Sequence, residues 1–136
     1  MSPTVFAVLG FVSLTVLLLG TLGLLRVSMT LSGKKAPNSF DPSGKDVSEF
    51  SARLCRTHAN CYESFPFFGG LLLLAIATGT TAVTDGLAYY FIGARVMQAL
   101  VHLASTSNIA VQVRFAFFLV QVVIAVLWIL DFFKVL

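Results

Sequence analysis

Four long apolar stretches set the strongest constraint on how this chain folds. Residues 3–25 and 64–84 carry no charged side chain, and the stretches 86–107 and 111–133 carry few. Each is about 20 residues long, the length that an α-helix needs to cross a hydrocarbon core of about 30 Å. The chain is therefore predicted to be an all-α integral membrane protein, a bundle of four transmembrane helices at these four stretches.

The composition excludes most other classes of protein. Hydrophobic residues make up 57% of the chain and charged residues 11%, whereas an ordinary soluble domain is about 25% charged. Nine basic and six acidic residues give a net charge of +3, too little for the clustered basic face that nucleic-acid binding needs. The four spans fill most of the sequence, so we expect one membrane domain over residues 1–136 and no partner nucleic acid.

Most of the charge lies in the segment 26–63, between the first two spans. Glycine and proline predict a loop in its first part. Asp46 followed by Glu49 resembles a capping box, which predicts a helix that begins there and runs to about Val83. Basic residues crowd this segment, whereas the joint after the second span carries only Asp85. The positive-inside tendency therefore places the segment in the cytoplasm.

Polar residues of the second predicted helix form a stripe. At about 100° per residue, Arg53, Arg56, Asn60 and Glu63 fall within an arc of about 80°. His58 lies on the apolar side of the same helix, where packing is the ordinary role of a histidine. The stripe is either a solvated face of a protruding helix or one wall of a binding site, and both interpretations stay open here.

The third span repeats the pattern, since Arg95, Gln98 and His102 lie within about 60° of one another. A charge near the centre of a membrane helix costs about 2.5–3.5 kcal/mol to insert. Arg95 therefore needs a partner or a wet cavity, and an Arg95–Glu63 ion pair is the simplest structural explanation. Such a pair does not exclude a role in binding.

Arg114 opens the fourth span, with Gln121 two turns later on the same face. By itself Arg114 also suits a snorkelling anchor. Together with the other basic stripes, it indicates a site for a small anionic ligand, since guanidinium groups bind carboxylates bidentately. No metal site is expected, because the two histidines lie on different predicted helices and the two cysteines lack zinc-ligand spacing.

The segment 53–66 resembles the MAPEG family, the membrane-associated proteins in eicosanoid and glutathione metabolism. The second helix of that family carries an R-x-H/Q-x-N-x-x-E-x-x-P pattern. The resemblance extends to Ala94–Val96 and Val113–Phe115, and so to essentially the whole chain. The pattern falls here on Arg56, His58, Asn60, Glu63 and Pro66.

The resemblance implies a homotrimer that binds glutathione between neighbouring subunits near the cytosolic face. Arg56, Asn60 and Glu63 would hold the polar ends of glutathione, and His58 would reach the site from the adjacent chain. Arg114 matches the catalytic arginine that stabilises the glutathione thiolate. The other candidate binding residues are Arg53, Arg95, Gln98 and His102.

We therefore expect a glutathione transferase or peroxidase whose second substrate is hydrophobic or lipid-like. Gln98 and His102 stand where eicosanoid-forming members carry tyrosines, and Phe115, Phe117 and Phe118 stand where a tyrosine often follows the fourth-helix arginine. In these positions the chain is similar to the bacterial branch of the family. We therefore expect it in a bacterial inner membrane, with the site facing the cytoplasm. The alternatives are a non-catalytic lipid-binding member and a small transporter or channel subunit, which would need a polar path through the membrane.

Overall fold

The computed structural model describes residues 1–136 and contains four α-helices and no strand. Each helix is long and apolar enough to cross a membrane. The prediction of an all-α, four-helix membrane protein is therefore confirmed. The helices are α1 (Pro3–Leu31), α2 (Glu49–Ala77), α3 (Ala82–Ala104) and α4 (Asn108–Val135).

The start of α2 differs from the predicted one. The helix is capped by Ser48, whose Oγ accepts a hydrogen bond from the Ser51 backbone N–H at 3.0 Å. Asp46 instead forms an ion pair with Lys35 in the preceding loop. The predicted capping box of Asp46 and Glu49 is therefore wrong, because a serine closer to the helix satisfies the free N–H group and the loop engages the aspartate.

The end of α2 also differs. The helix passes through Pro66 without ending and stops at Ala77, although we predicted that it continues to about Val83. Gly79 adopts φ +70°, the left-handed conformation that commonly terminates a helix and that glycine adopts without strain. Consequently Asp85 lies in the first turn of α3 and not in the joint between the helices.

The helices pack around Phe91 of α3. Its ring centroid lies 6.1 Å from that of Phe11 in α1 and 5.5 Å from that of Phe68 in α2. The ring centroid of Trp128 in α4 lies 5.4 Å from that of Phe91. Helices α1, α2 and α3 all touch one another, whereas α4 packs mainly on α3 and meets α2 only briefly. A cleft is therefore left between α2 and α4, with α3 behind it.

The first turns of α1 and α3 are joined at the end of the bundle opposite the long loop. Oδ1 of Asp85 accepts hydrogen bonds from the backbone N–H of Thr4 at 2.9 Å and from its hydroxyl at 2.6 Å. The hydroxyls of Thr4 and Thr84 also lie 2.6 Å apart, and both residues are fully buried. Asp85 thus acts as an external cap for α1 and joins the first turn of α1 to that of α3.

Candidate functional site

A basic cleft opens at the end of the bundle where α2 and α4 begin and α3 ends. Its outer part has a volume of about 500 Å³, within the range of about 300–1,000 Å³ that is typical of small-molecule sites. Four cationic side chains and a single carboxylate line it, so the outer cleft favours anionic groups. Its lining consists of Ser43, Lys45, Glu49, Ala52, Arg53, Arg56, His102, Thr106 and Arg114.

The inner part of the cleft, of about 280 Å³, extends toward the middle of the helices. It shares Arg56, His102 and Arg114 with the outer part, and it adds two amides and several apolar side chains. The walls therefore change from charged at the mouth to neutral and aromatic at the inner end. The residues that line only the inner part are Asn60, Gln98, Val111, Phe115 and Phe118.

Arg53 joins α2 to the end of α3 at the cleft mouth. Its Nε donates a hydrogen bond to the backbone carbonyl oxygen of Leu103 at 2.8 Å. The last carbonyl groups of a helix have no donor within the helix itself. The bond therefore satisfies one of them and holds the Arg53 guanidinium at the edge of the outer cleft.

Arg95 lies behind the cleft wall and does not line it. It is only 1% exposed, and its Nη1 donates to Oδ1 of Asn60 at 2.8 Å. Its Cζ lies 4.9 Å and 5.5 Å from the ring centroids of Phe11 and Phe68, distances at which a cation is attracted to an aromatic face. Its Nε and Nη2 have no hydrogen-bond partner.

The predicted ion pair between Arg95 and Glu63 does not form. Glu63 is exposed on the outside of α2, and the ion pairs of the chain involve other residues. The amide of Asn60 takes the place of the carboxylate, because Asn60 lies on the α2 face that meets α3 whereas Glu63 is turned away from it.

A buried amide also lies behind the cleft wall, on α4. Gln121 has no exposed surface, and its Nε2 donates to Oε1 of Gln98 and to the carbonyl oxygen of Phe117, both at 2.9 Å. Its own Oε1 has no partner. Gln98 is nearly buried but reaches the inner cleft. A short hydrogen-bonded chain thus connects the α4 backbone to the cleft wall.

The structure therefore gathers most of the predicted site residues and leaves three of them elsewhere. His58 is half-buried on the other side of α2, with its ring centroid 5.3 Å from that of Tyr62. Glu63 is exposed, and Arg95 is buried behind Asn60. The predicted residues that do line the cleft are Arg53, Arg56, Asn60, Gln98, His102 and Arg114. The roles of both groups in binding stay predictions.

Sequence reasoning did not identify Lys45 and Glu49 as site residues. The loop before α2 folds back over the helix because Gly44 adopts φ +71° and packs against it. A Cβ atom at Gly44 would lie 2.7 Å from the backbone oxygen of Ser51 and 2.8 Å from Sγ of Cys55. The close approach requires glycine, which was the one available signal, and it places Lys45 at the cleft mouth.

The sequence of the chain matches a known protein family. The sequence profile of the MAPEG family matches residues 4–133, nearly the whole chain. The match includes α2, α3, nearly all of α1 and α4, and every residue of the cleft. No curated protein and no solved structure matches the chain.

Proposed function

Because this chain belongs to the MAPEG family, which includes glutathione transferases and peroxidases, we propose that it is a membrane-bound glutathione transferase or peroxidase. Its second substrates would be hydrophobic electrophiles or lipid hydroperoxides. The observation that carries the proposal is the basic cleft of a multi-pass membrane protein, with Arg114 shared by its outer and inner parts.

The charges at the outer cleft match those of glutathione. Glutathione has two carboxylates and one ammonium group, and Lys45, Arg53 and Arg56 offer cations at the mouth. Glu49 is the one carboxylate there and is suited to the ammonium group. Arginine binds carboxylates through paired hydrogen bonds. The outer cleft is thus suited to the two charged ends of the tripeptide.

The chemical role falls to Arg114. A thiol with a pKa near 8.5 is only partly ionised at neutral pH, and the thiolate is the nucleophile. Lowering that pKa by about two units requires roughly 2.7 kcal/mol of preferential stabilisation of the anion, which a guanidinium in a water-poor site supplies. The thiolate then forms a carbon–sulfur bond as the leaving group departs with its electron pair. With a hydroperoxide, two glutathiones give the disulfide, the lipid alcohol and water.

The active assembly is proposed to be a homotrimer, with glutathione bound between neighbouring subunits. Glu63 and His58 match the family motif but lie outside the cleft of their own chain. A neighbouring copy that meets the outer face of α2 would bring them toward a bound ligand. The end of the bundle that carries the basic cleft would lie on the cytoplasmic side of a bacterial inner membrane, as the positive-inside tendency indicates.

The test is an ultraviolet difference spectrum of the detergent-purified protein on addition of glutathione. We expect a thiolate band at neutral pH that Arg114→Ala abolishes while calorimetry still detects glutathione binding. Lys134→Ala is the matched control, since it removes a cation at the other end of the same helix and should keep the band. A band that persists in Arg114→Ala would show that Arg114 only anchors the helix and does not stabilise the thiolate. If the wild-type protein shows neither a thiolate band nor glutathione binding, the proposal is overturned.

One observation favours a second candidate, a lipid-binding member without catalysis. At the other end of α2 and α4 lies a purely apolar cavity of about 440 Å³, suited to an acyl chain. Turnover of a generic electrophile with glutathione separates the two candidates, because only an enzyme gives it. The cavity is lined by Leu71, Leu74, Ile129, Phe132, Phe133 and Leu136.

A further inference from the structure

The orientation of the Gln98 amide is fixed by Gln121, which does not line the cleft. The carbonyl oxygen of Phe117 only accepts hydrogen bonds, so Gln121 must turn its NH2 group toward it. The same NH2 group donates to Gln98, which must therefore present its oxygen to Gln121. The Nε2 of Gln98, which has no partner within the chain, is then the end of the amide that lies at the cleft.

Asn60 is oriented in the same sense on the facing helix. A guanidinium has donors only, so the bond from Arg95 takes the oxygen of Asn60. The NH2 group of Asn60 is left for the inner cleft, which Asn60 lines. Both amides thus offer donors, alongside the guanidinium groups of Arg56 and Arg114. The inner end is suited to a ligand atom that accepts hydrogen bonds and carries negative charge.

The position of the inner end indicates which part of glutathione it receives. The charged ends of the tripeptide match the outer mouth, where Lys45 and Glu49 lie. The inner end is bordered by Phe115 and Phe118, and α4 presents apolar side chains to the surroundings there. A lipid-soluble electrophile arrives from that side, so the sulfur atom is the part of glutathione that belongs at the inner end.

On the basis of the proposed function, we propose that Gln121 is a positioning residue, which holds the Gln98 amide with its NH2 group turned into the cleft to donate to the sulfur of bound glutathione. A donor stabilises a thiolate more than a thiol. With the amide reversed, its oxygen would face the sulfur and disfavour the anion. Gln121 would therefore act on the bound thiol only through Gln98.

The experiment is a pH titration of the thiolate band in the full-length protein with glutathione. We expect Gln121→Leu and Gln98→Leu each to raise the apparent pKa of the bound thiol by about one unit, the effect of losing one hydrogen bond to a charged group. The double variant should match Gln98→Leu alone, because Gln121 acts through that side chain. Gln112→Leu, at an exposed position of the same helix, should leave the titration unchanged.

The outcomes separate this inference from the proposed function. If the wild-type protein binds no glutathione by calorimetry, both are overturned. If it binds glutathione but Gln121→Leu leaves the thiol pKa unchanged, or if the two effects add in the double variant, the positioning role alone is overturned. Should Gln121→Leu fail to fold, Gln121→Met replaces it, because methionine keeps the unbranched shape without the amide.

Discussion

Nη1 of Arg95 donates to Oδ1 of Asn60 across 2.8 Å, so the cation in the core of the bundle is bonded to an amide at the cleft wall. The guanidinium is otherwise held by the faces of Phe11 and Phe68. A change on either side of this bond alters both the packing of the core and the shape of the cleft.

Removing the amide should therefore cost more stability than removing the cation. We expect Asn60→Ala to lower the free energy of unfolding by about 1.5–3 kcal/mol, the range for a hydrogen bond to a charged group, since it leaves Arg95 buried without that acceptor. Arg95→Met removes the charge together with its unpaired donors and should cost less. Thermal unfolding in detergent measures both, and purely additive losses in the double variant would contradict the coupling.

Gly44 should tolerate no side chain. Gly44→Ala places a Cβ atom against Ser51 and Cys55 at φ +71°. A strained backbone alone costs about 1–3 kcal/mol, and we expect the free energy of unfolding to fall by more than that. Gly33→Ala is the matched control, because Gly33 adopts φ +73° with no atom near its Cβ position. Equal melting temperatures for the two variants would show that contact of the loop with α2 is unimportant.

The cap that Asp85 provides for α1 should be a determinant of stability. Asp85→Ala leaves the backbone N–H of Thr4 without its acceptor, and we expect a cost of about 1–3 kcal/mol for this unsatisfied group. Asp131→Ala breaks the exposed pair with Lys134, which is worth about 0.2–1 kcal/mol. Chemical unfolding of the two variants in detergent provides the comparison, and a larger loss in Asp131→Ala would refute the capping role.

The loop before α2 should loosen in acid. The hydrogen bond from Lys35, together with one from the backbone of Asp41, holds the pKa of Asp46 below its ordinary value of 3.8. This contribution to stability is complete above the ordinary pKa and is lost as the pH falls through the lowered value. As the pH is lowered below about 4, the melting temperature of Asp46→Asn should therefore fall less steeply than that of the wild type. Parallel pH profiles for the variant and the wild type would contradict this.

The sequence alone determined the four helices and most of the two polar stripes, on α2 and α3, that line the cleft. A hydrocarbon core of about 30 Å sets the length of an apolar span, and the helical period places Arg53, Arg56 and Asn60 on one face. Both are local properties, so they can be read without knowledge of the neighbouring helices. The boundaries near Ser48 and Ala77 were missed, because a nearby serine, a loop ion pair and one glycine decide them.

Only the tertiary structure decided which side chains meet. The period of α2 places Asn60 and Glu63 on the same stripe, but the rotation of α2 against α3 gives Arg95 the amide and leaves the carboxylate outside. The path of the loop brings Lys45 to the cleft, and the contact between α3 and α4 pairs Gln98 with Gln121. These contacts depend on how helices distant in sequence pack together, and the pattern within a single helix does not contain that information.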